Sequence, residues 1–389
     1  MEEGNVPAGS DLITEMNVFI EEAPGIIKRS VIEAEIDTGK RITSFITDLT
    51  FSFAVGEMAK DRNIPWISLW IPAPCSLPAF FHLDLLRQKY DNQISDQIHN
   101  QISDRVLDII PGLPPISFAD LPMLEFSGLV ERTSIKPIRS VCSSMTQTLH
   151  HASAVVMNSY QELNPVALTD YFNSKFQNSL FLGALTLSDS SKEDITGCLP
   201  WLDRQKPASV IYICFGTGVG LPPEELTSLA EALESSPAPF LWSLKDELKV
   251  NLPSGFLDRM KGKVVSWAPQ SEILKHGSIG VYVTHCGFNS VFESIVGGVP
   301  MICRSIWIDN HINAKMVEEV WEIGVRVNNG GKITKDGMLR SLEVIFQDDQ
   351  GKKIVENVNF LKHVLIKAAG TDGVAARDFK TLIQIISKN

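Results

Sequence analysis

The stretch YVTHCGFNSVFESIVGGVPM, Tyr282 to Met301, decides the fold. An apolar run, IGVYVTH, ends on His285-Cys286-Gly287; helical spacing then begins at Asn289-Ser290, Glu293 falls about one turn in, and the chain turns on Gly297-Gly298-Val299-Pro300. In open parallel sheets, the point where a strand hands over to a helix N-terminus is where ligands bind. Gly287 lets the backbone come close to a bound group. Asn289 and Ser290 are expected to cap the helix, whose unpaired N–H groups and dipole suit a phosphate. Glu293 is placed to accept hydrogen bonds from two adjacent hydroxyls. A phosphate beside a diol describes the ribose end of a nucleotide.

A second strand exit, YICFGTGVGLPPEEL, makes a similar offer with Gly216, Thr217, Gly218 and Gly220. It is neither a Walker loop nor a G-x-G-x-x-G turn, so alone it says little, but two such turns converging on one cleft say more. Neither turn holds a lysine, so phosphates are expected on backbone groups, neutral donors and His285. A nicotinamide-dependent oxidoreductase would need G-x-G-x-x-G followed by a ribose-binding acid, and the chain shows no such pattern.

Working outward, strand and helix signals alternate, which implies parallel sheets covered on both faces. RITSFITDLTFSF, IPWISLWIPAP, SAVVMNSY and SLFLGALTL read as strands with their exits, and AVGEMAKDRN and SVCSSMTQTLHHA as helices. The polar, breaker-rich SDSSKEDITGCLP divides the chain into a first domain over 1–187, a linker over 188–200 and a second domain over 201–389. In the second, SVIYICFG, PFLWSL, KVVSWAP, IGVYVTHCG, VPMICRSI and IGVRVN read as strands and Lys335 to Lys388 as helices.

With 389 residues, the chain is long enough for two domains. Its net charge of -11 opposes binding to nucleic acid or anionic membranes. Neither a leader nor a membrane-length apolar run is evident, and the six cysteines lack C-x-x-C spacing, so a cytosolic protein with reduced thiols and no zinc site is expected. Cys286, beside a helix start, reads as a buried structural thiol.

The span from Trp267 to Asn310, WAPQSEILKHGSIGVYVTHCGFNSVFESIVGGVPMICRSIWIDN, resembles the signature box of plant family 1 UDP-dependent glycosyltransferases, and its 44 residues match that box in length. ITSFITDLTFSF, IPGLPPISFADLP, NSYQELNP and KMVEEVWEIGVRV extend the resemblance toward the flavonoid and anthocyanidin 3-O-glycosyltransferase branch. The resemblance implies the GT-B fold, an α/β architecture of two Rossmann-like doubly wound domains facing across a cleft, and transfer of a hexose with inversion from a UDP-sugar to a flavonoid-like phenolic acceptor. It also implies no metal, no cofactor beyond the donor itself, and a monomer. By position, Trp267 would stack on the uracil and the Ala268 backbone pair with its edge. Gln270 and Glu293 would hold the ribose hydroxyls; Thr217, His285, Asn289 and Ser290, close to Gly287, the diphosphate; and Asp309 and Asn310 the sugar. Developing charge on departing UDP would then be met by helix N-termini and fixed donors rather than a cation.

Three positions depart from the family pattern. Phe288 replaces a tryptophan, and Asn310 stands where glucosyl-transferring members carry glutamine and galactosyl-preferring ones histidine, leaving the donor sugar open. The third concerns the general base: Asp48 in FITDLT matches the aspartate that orients the catalytic histidine, but the first histidine in the chain is His82, and the family's opening strands have no match. The first domain is therefore expected to be incomplete, with its remaining first strand at a sheet edge. Loss of a general base typically costs about 10²–10⁴-fold. Asp48 is then either the orienting partner of a missing histidine or a turn cap, and a UDP-sugar-binding protein without turnover, partner to an active relative, stands as the alternative function.

Overall fold

The computed structural model describes residues 12–82, 106–117, 120–121, 136–185, 193–216, 220–306 and 309–387. It falls into two compact units, Met1–Gly183 together with Ala368–Asn389, and Ala184–Lys367.

The first unit opens with helix α1 (Leu12–Thr38), followed by β1 (Phe45–Asp48), α2 (Ser52–Arg62) and β2 (Trp66–Trp70). A short antiparallel pair, β3 (Val106–Leu107) and β4 (Ile116–Ser117), precedes α3 (Lys136–Thr148), β5 (Ala154–Met157), α4 (Val166–Lys175) and β6 (Ser179–Phe181). β1, β2, β5 and β6 form a parallel sheet in that order, which puts β1 at an edge among the described strands. α1 was not anticipated from the sequence. It packs on α2 and α3, and an Arg62–Glu35 ion pair of 2.7 Å ties its end to α2. β6 stops at Phe181, two residues before Gly183 at φ +84°, so the strand is shorter than SLFLGALTL suggested.

The second unit contains α5 (Cys198–Leu202), β7 (Val210–Cys214), α6 (Pro223–Ser235), β8 (Phe240–Ser243), α7 (Phe256–Arg259), β9 (Lys263–Val265), α8 (Gln270–Lys275), β10 (Ile279–Thr284), α9 (Phe288–Gly297), β11 (Met301–Cys303), α10 (Asn310–Lys315), β12 (Gly324–Arg326), α11 (Lys335–Gln347) and α12 (Asp349–Ala368). Its six parallel strands run β12-β11-β10-β7-β8-β9. Read by order of appearance this is 3-2-1-4-5-6, the doubly wound arrangement whose direction of winding reverses between its first and fourth strands, here β7 and β10. Those two central strands are apolar runs with hardly a polar break, because both faces of the sheet are covered. α6 begins on Pro223, where a missing N–H costs nothing, and Thr334 caps α11 by accepting from the Gly337 N–H at 3.1 Å.

The sequence placed the C-terminal helices in one domain with residues 201–389. By contacts, α13 (Val374–Ile386) belongs to the first unit instead. Leu382 enters the apolar cluster of Ile67, Ala154, Val156 and Leu180, and Asp378 accepts a hydrogen bond from the Phe181 N–H at 2.7 Å. Both contacts cover β6, an edge strand that would otherwise expose an unpaired ladder.

Candidate functional site

A cleft of about 1130 Å³ opens at the carboxyl ends of the central strands of the second unit. Trp267, Ala268, Gln270, His285, Gly287, Asn289, Ser290 and Glu293 all line it, so eight residues singled out from the sequence meet in one place. Thr217 lies outside the described residues. Asp309 and Asn310 do not line the cleft; they stand at the next strand exit, where Asp309 accepts from Asn313 Nδ2 at 2.9 Å and the Asn310 carbonyl from Ser305 Oγ at 3.0 Å. Asp48 belongs to the first unit, where its Oδ1 accepts from the Thr50 N–H at 2.8 Å and from Thr50 Oγ1 at 2.6 Å.

The elbow between β10 and α9 carries backbone strain. Cys286 sits at φ +64°, a left-handed conformation that costs a non-glycine residue about 1 kcal/mol or more. Its N–H donates to Thr284 Oγ1 at 3.2 Å and its carbonyl accepts from Asn313 Nδ2 at 2.9 Å, so the kink is held from both sides. Cys286 is fully buried, as expected of a structural thiol. The expected capping differs: α9 starts at Phe288, one residue before Asn289, so its cap position is Gly287, and no side chain caps it among the described residues. Asn289 and Ser290 fall inside the first turn of the helix, a kind of helix start that suits a bound anion.

The imidazole of His285 lies between two glycines. A Cβ on Gly216 would come within 2.9 Å of its Cε1, and one on Gly287 within 2.5 Å of its Nε2, so both backbones press against the ring as only glycine permits. Nδ1 is buried without a hydrogen-bond partner among the described residues. Burial lowers the pKa of this histidine to about 4, the Cys214 carbonyl opposing the shift, and the ring is neutral at physiological pH. An unfolded histidine takes up its proton near pH 6.5, so the unfolded state gains protons first as pH falls. Stability is therefore expected to drop by roughly 3 kcal/mol as pH descends from 6.5 through 4, about 2 kcal/mol of it by pH 5. Urea unfolding of the wild type and of His285→Asn at pH 7.5 and 5 measures this; equal losses in the two proteins would refute it.

Opposite the imidazole, Glu293 receives Ser271 Oγ on Oε1 at 2.5 Å and Gln270 Nε2 on Oε2 at 2.6 Å. Gln270 Nε2 also donates to Ser290 Oγ at 3.1 Å. α8, which carries Gln270 and Ser271, packs on α9, which carries Ser290 and Glu293, and this brings the two segments of the sequence box together. Sequence reasoning missed Ser271, Tyr212 and Lys245, which also line the cleft. Lys245 stands just beyond β8, and that strand-end position was the available signal. Tyr212 could not have been found, because a tyrosine inside a strand reads as core.

A tryptophan, a paired amide and carboxylate, and a helix start beside a neutral imidazole, all at the reversal point of a doubly wound sheet, match a nucleotide's base, ribose and phosphate in order. The family model described as UDP-glucoronosyl and UDP-glucosyl transferase matches residues 122–364. A flavonol 3-O-glucosyltransferase of Actinidia chinensis var. chinensis is 42% identical over 95% of this chain and 79% of its own length. An anthocyanidin 3-O-galactosyltransferase of the same plant is 38% identical over 96% of this chain and 81% of its own. A crystal structure of a UDP-glucose:anthocyanidin 3-O-glucosyltransferase in complex with UDP superposes with a TM-score of 0.89 at 38% identity, covering 100% of this chain and 85% of that one. Site, sequence and GT-B fold agree: the chain belongs to the UDP-dependent glycosyltransferases.

Proposed function

We propose that this protein binds a UDP-sugar in the second unit and transfers the hexose, with inversion at the anomeric carbon, to a hydroxyl of a flavonoid-like phenol. The observation that carries this reading is the Glu293 carboxylate, oriented by Gln270 and Ser271 beside the first turn of α9. Trp267 would stack on the uracil and the Ala268 backbone meet its edge. Glu293 would accept the two ribose hydroxyls, with Gln270 at its side. His285, Ser290, Asn289 and Thr217 would surround the diphosphate near Gly287, and Asp309 and Asn310 would approach the sugar from the neighbouring strand exit. As the bond to the sugar breaks, negative charge grows on the diphosphate. The dipole end of α9 and the neutral His285 imidazole would stabilise it without a cation. The relatives named above support the phenolic acceptor; one transfers glucose and one galactose, so the hexose is left to experiment.

A second reading, a UDP-sugar-binding protein without turnover, is favoured by Asp48. Its Oδ1 is committed to the backbone and hydroxyl of Thr50, the arrangement of a turn cap. Titration calorimetry with UDP in excess EDTA, followed by a turnover assay with UDP-glucose, UDP-galactose and a flavonol, decides between the two. Binding with product supports the enzyme, and binding without product the second reading. No binding, or binding that requires magnesium, overturns both.

A further inference from the structure

Gln270 has no hydrogen-bonding capacity left over. Its Nε2 donates to Ser290 Oγ and Glu293 Oε2, and its Oε1 accepts from Tyr282 OH at 2.9 Å and from Tyr212 OH at 3.3 Å. An amide has two N–H groups and two carbonyl lone pairs, and these four partners use them all. The partners also settle which end of the amide points where. A carboxylate only accepts, so the nitrogen must face Glu293, and the oxygen is left to the two phenols.

The tyrosines are placed for this by the sheet itself. Tyr212 on β7 and Tyr282 on β10 are register partners across the central ladder at the reversal point, and their rings stack with centroids 5.0 Å apart. Neither ring is exposed to solvent. Burial pushes both hydroxyls well above their ordinary pKa, so both are protonated donors at physiological pH. Tyr282 OH has a second acceptor in the Cys214 carbonyl at 3.3 Å, farther than Gln270.

We infer that Tyr212 and Tyr282 are positioning residues for ribose recognition, and that Gln270 acts as a strut that passes their hold to Glu293. This rests on the uridine-diphosphate reading above. Glu293 binds the two hydroxyls well only if its carboxylate is fixed before the nucleotide arrives, since ordering it on binding would lower affinity. The phenols anchor the amide, the amide anchors Oε2, and Ser271 anchors Oε1, so both carboxylate oxygens present their remaining lone pairs to the cleft in one orientation.

The test compares UDP with 2′,3′-dideoxy-UDP, which lacks both hydroxyls, by calorimetry on Tyr212→Phe, Tyr282→Phe and the double variant. Phenylalanine keeps the stacked rings and removes only the donors. The preference of the wild type for UDP over the dideoxy nucleotide is expected to fall about fivefold for each hydroxyl removed, the order of one neutral hydrogen bond, while affinity for the dideoxy nucleotide stays the same. In a Gln270→Leu background, which has no strut, removing the phenols is expected to have no further effect on that preference. A preference that survives in the double variant, or a parallel weakening of both nucleotides, overturns the inference and leaves the uridine-diphosphate reading intact. Wild-type protein that binds UDP no better than its dideoxy form overturns both.

Discussion

Glu293→Ala is expected to weaken UDP binding by roughly a hundredfold or more. Two ribose hydroxyls donating to a carboxylate are charge-assisted hydrogen bonds of about 1.5–3 kcal/mol each, and about 3 kcal/mol together already corresponds to that factor. The substitution also strips Gln270 Nε2 and Ser271 Oγ of their shared acceptor, so the pocket loses its orientation along with its ligand. Uracil stacking and diphosphate contacts remain, and the residual affinity should be close to that of the wild type for 2′,3′-dideoxy-UDP. Calorimetry on the variant settles the matter. An affinity within threefold of wild type would mean that the ribose is held elsewhere and that the carboxylate serves only the protein.

A comparable effect, on stability instead, is expected from Arg304→Met. Arg304 leaves β11 and clasps Glu225 with two bonds of 2.7 Å, Nε to Oε2 and Nη2 to Oε1. The Glu225 side chain is 0% exposed and that of Arg304 13%. Glu225 also accepts the Ile333 N–H at 2.8 Å, so one carboxylate ties the first turn of α6 to the exit of β11 and to the segment before α11. Removing the guanidinium leaves a buried charge uncompensated, which costs about 3–5 kcal/mol. The double variant Glu225→Leu/Arg304→Met should be less damaged than Arg304→Met alone, because it leaves no orphaned ion. Urea midpoints of the three proteins give the comparison; a loss below 1 kcal/mol in the single variant, or a larger loss in the double, would contradict the account. Arg304 also donates to the Ser305 carbonyl, and Ser305 Oγ donates to the Asn310 carbonyl, so the start of α10 is tied to the same clasp.

Much of this could be read from residue order, because the features concerned are local. Apolar runs such as VIYIC and IGVYVT report strands buried on both faces, and the passage from THCG to a helical pattern reports a strand exit opening onto a helix start. From these alone, a doubly wound second domain and a cleft at His285 and Glu293 followed, whereas Trp267 entered only through the resemblance of its segment to the signature box. The local rules failed where a local device had a tertiary competitor. Asn289 and Ser290 are good capping residues, yet the strained Cys286 moves the helix start forward and Ser290 turns to Gln270. Glu225 reads as an acid favouring a helix dipole, but its partner is an arginine 79 residues away.

Residue order by itself determined where strands end and helices begin, and hence which backbone groups are left unpaired at the strand exits, because periodicity and turn chemistry act over a few residues. Only the tertiary structure decided which exits became neighbours. β7 lies beside β10, which sets Tyr212 over Tyr282 beneath Gln270, and α13 crosses back to cover β6 in the first unit. Burial drives those pairings, and burial specifies that an apolar face must be covered without specifying by what; the strand order of the sheet supplies the partner.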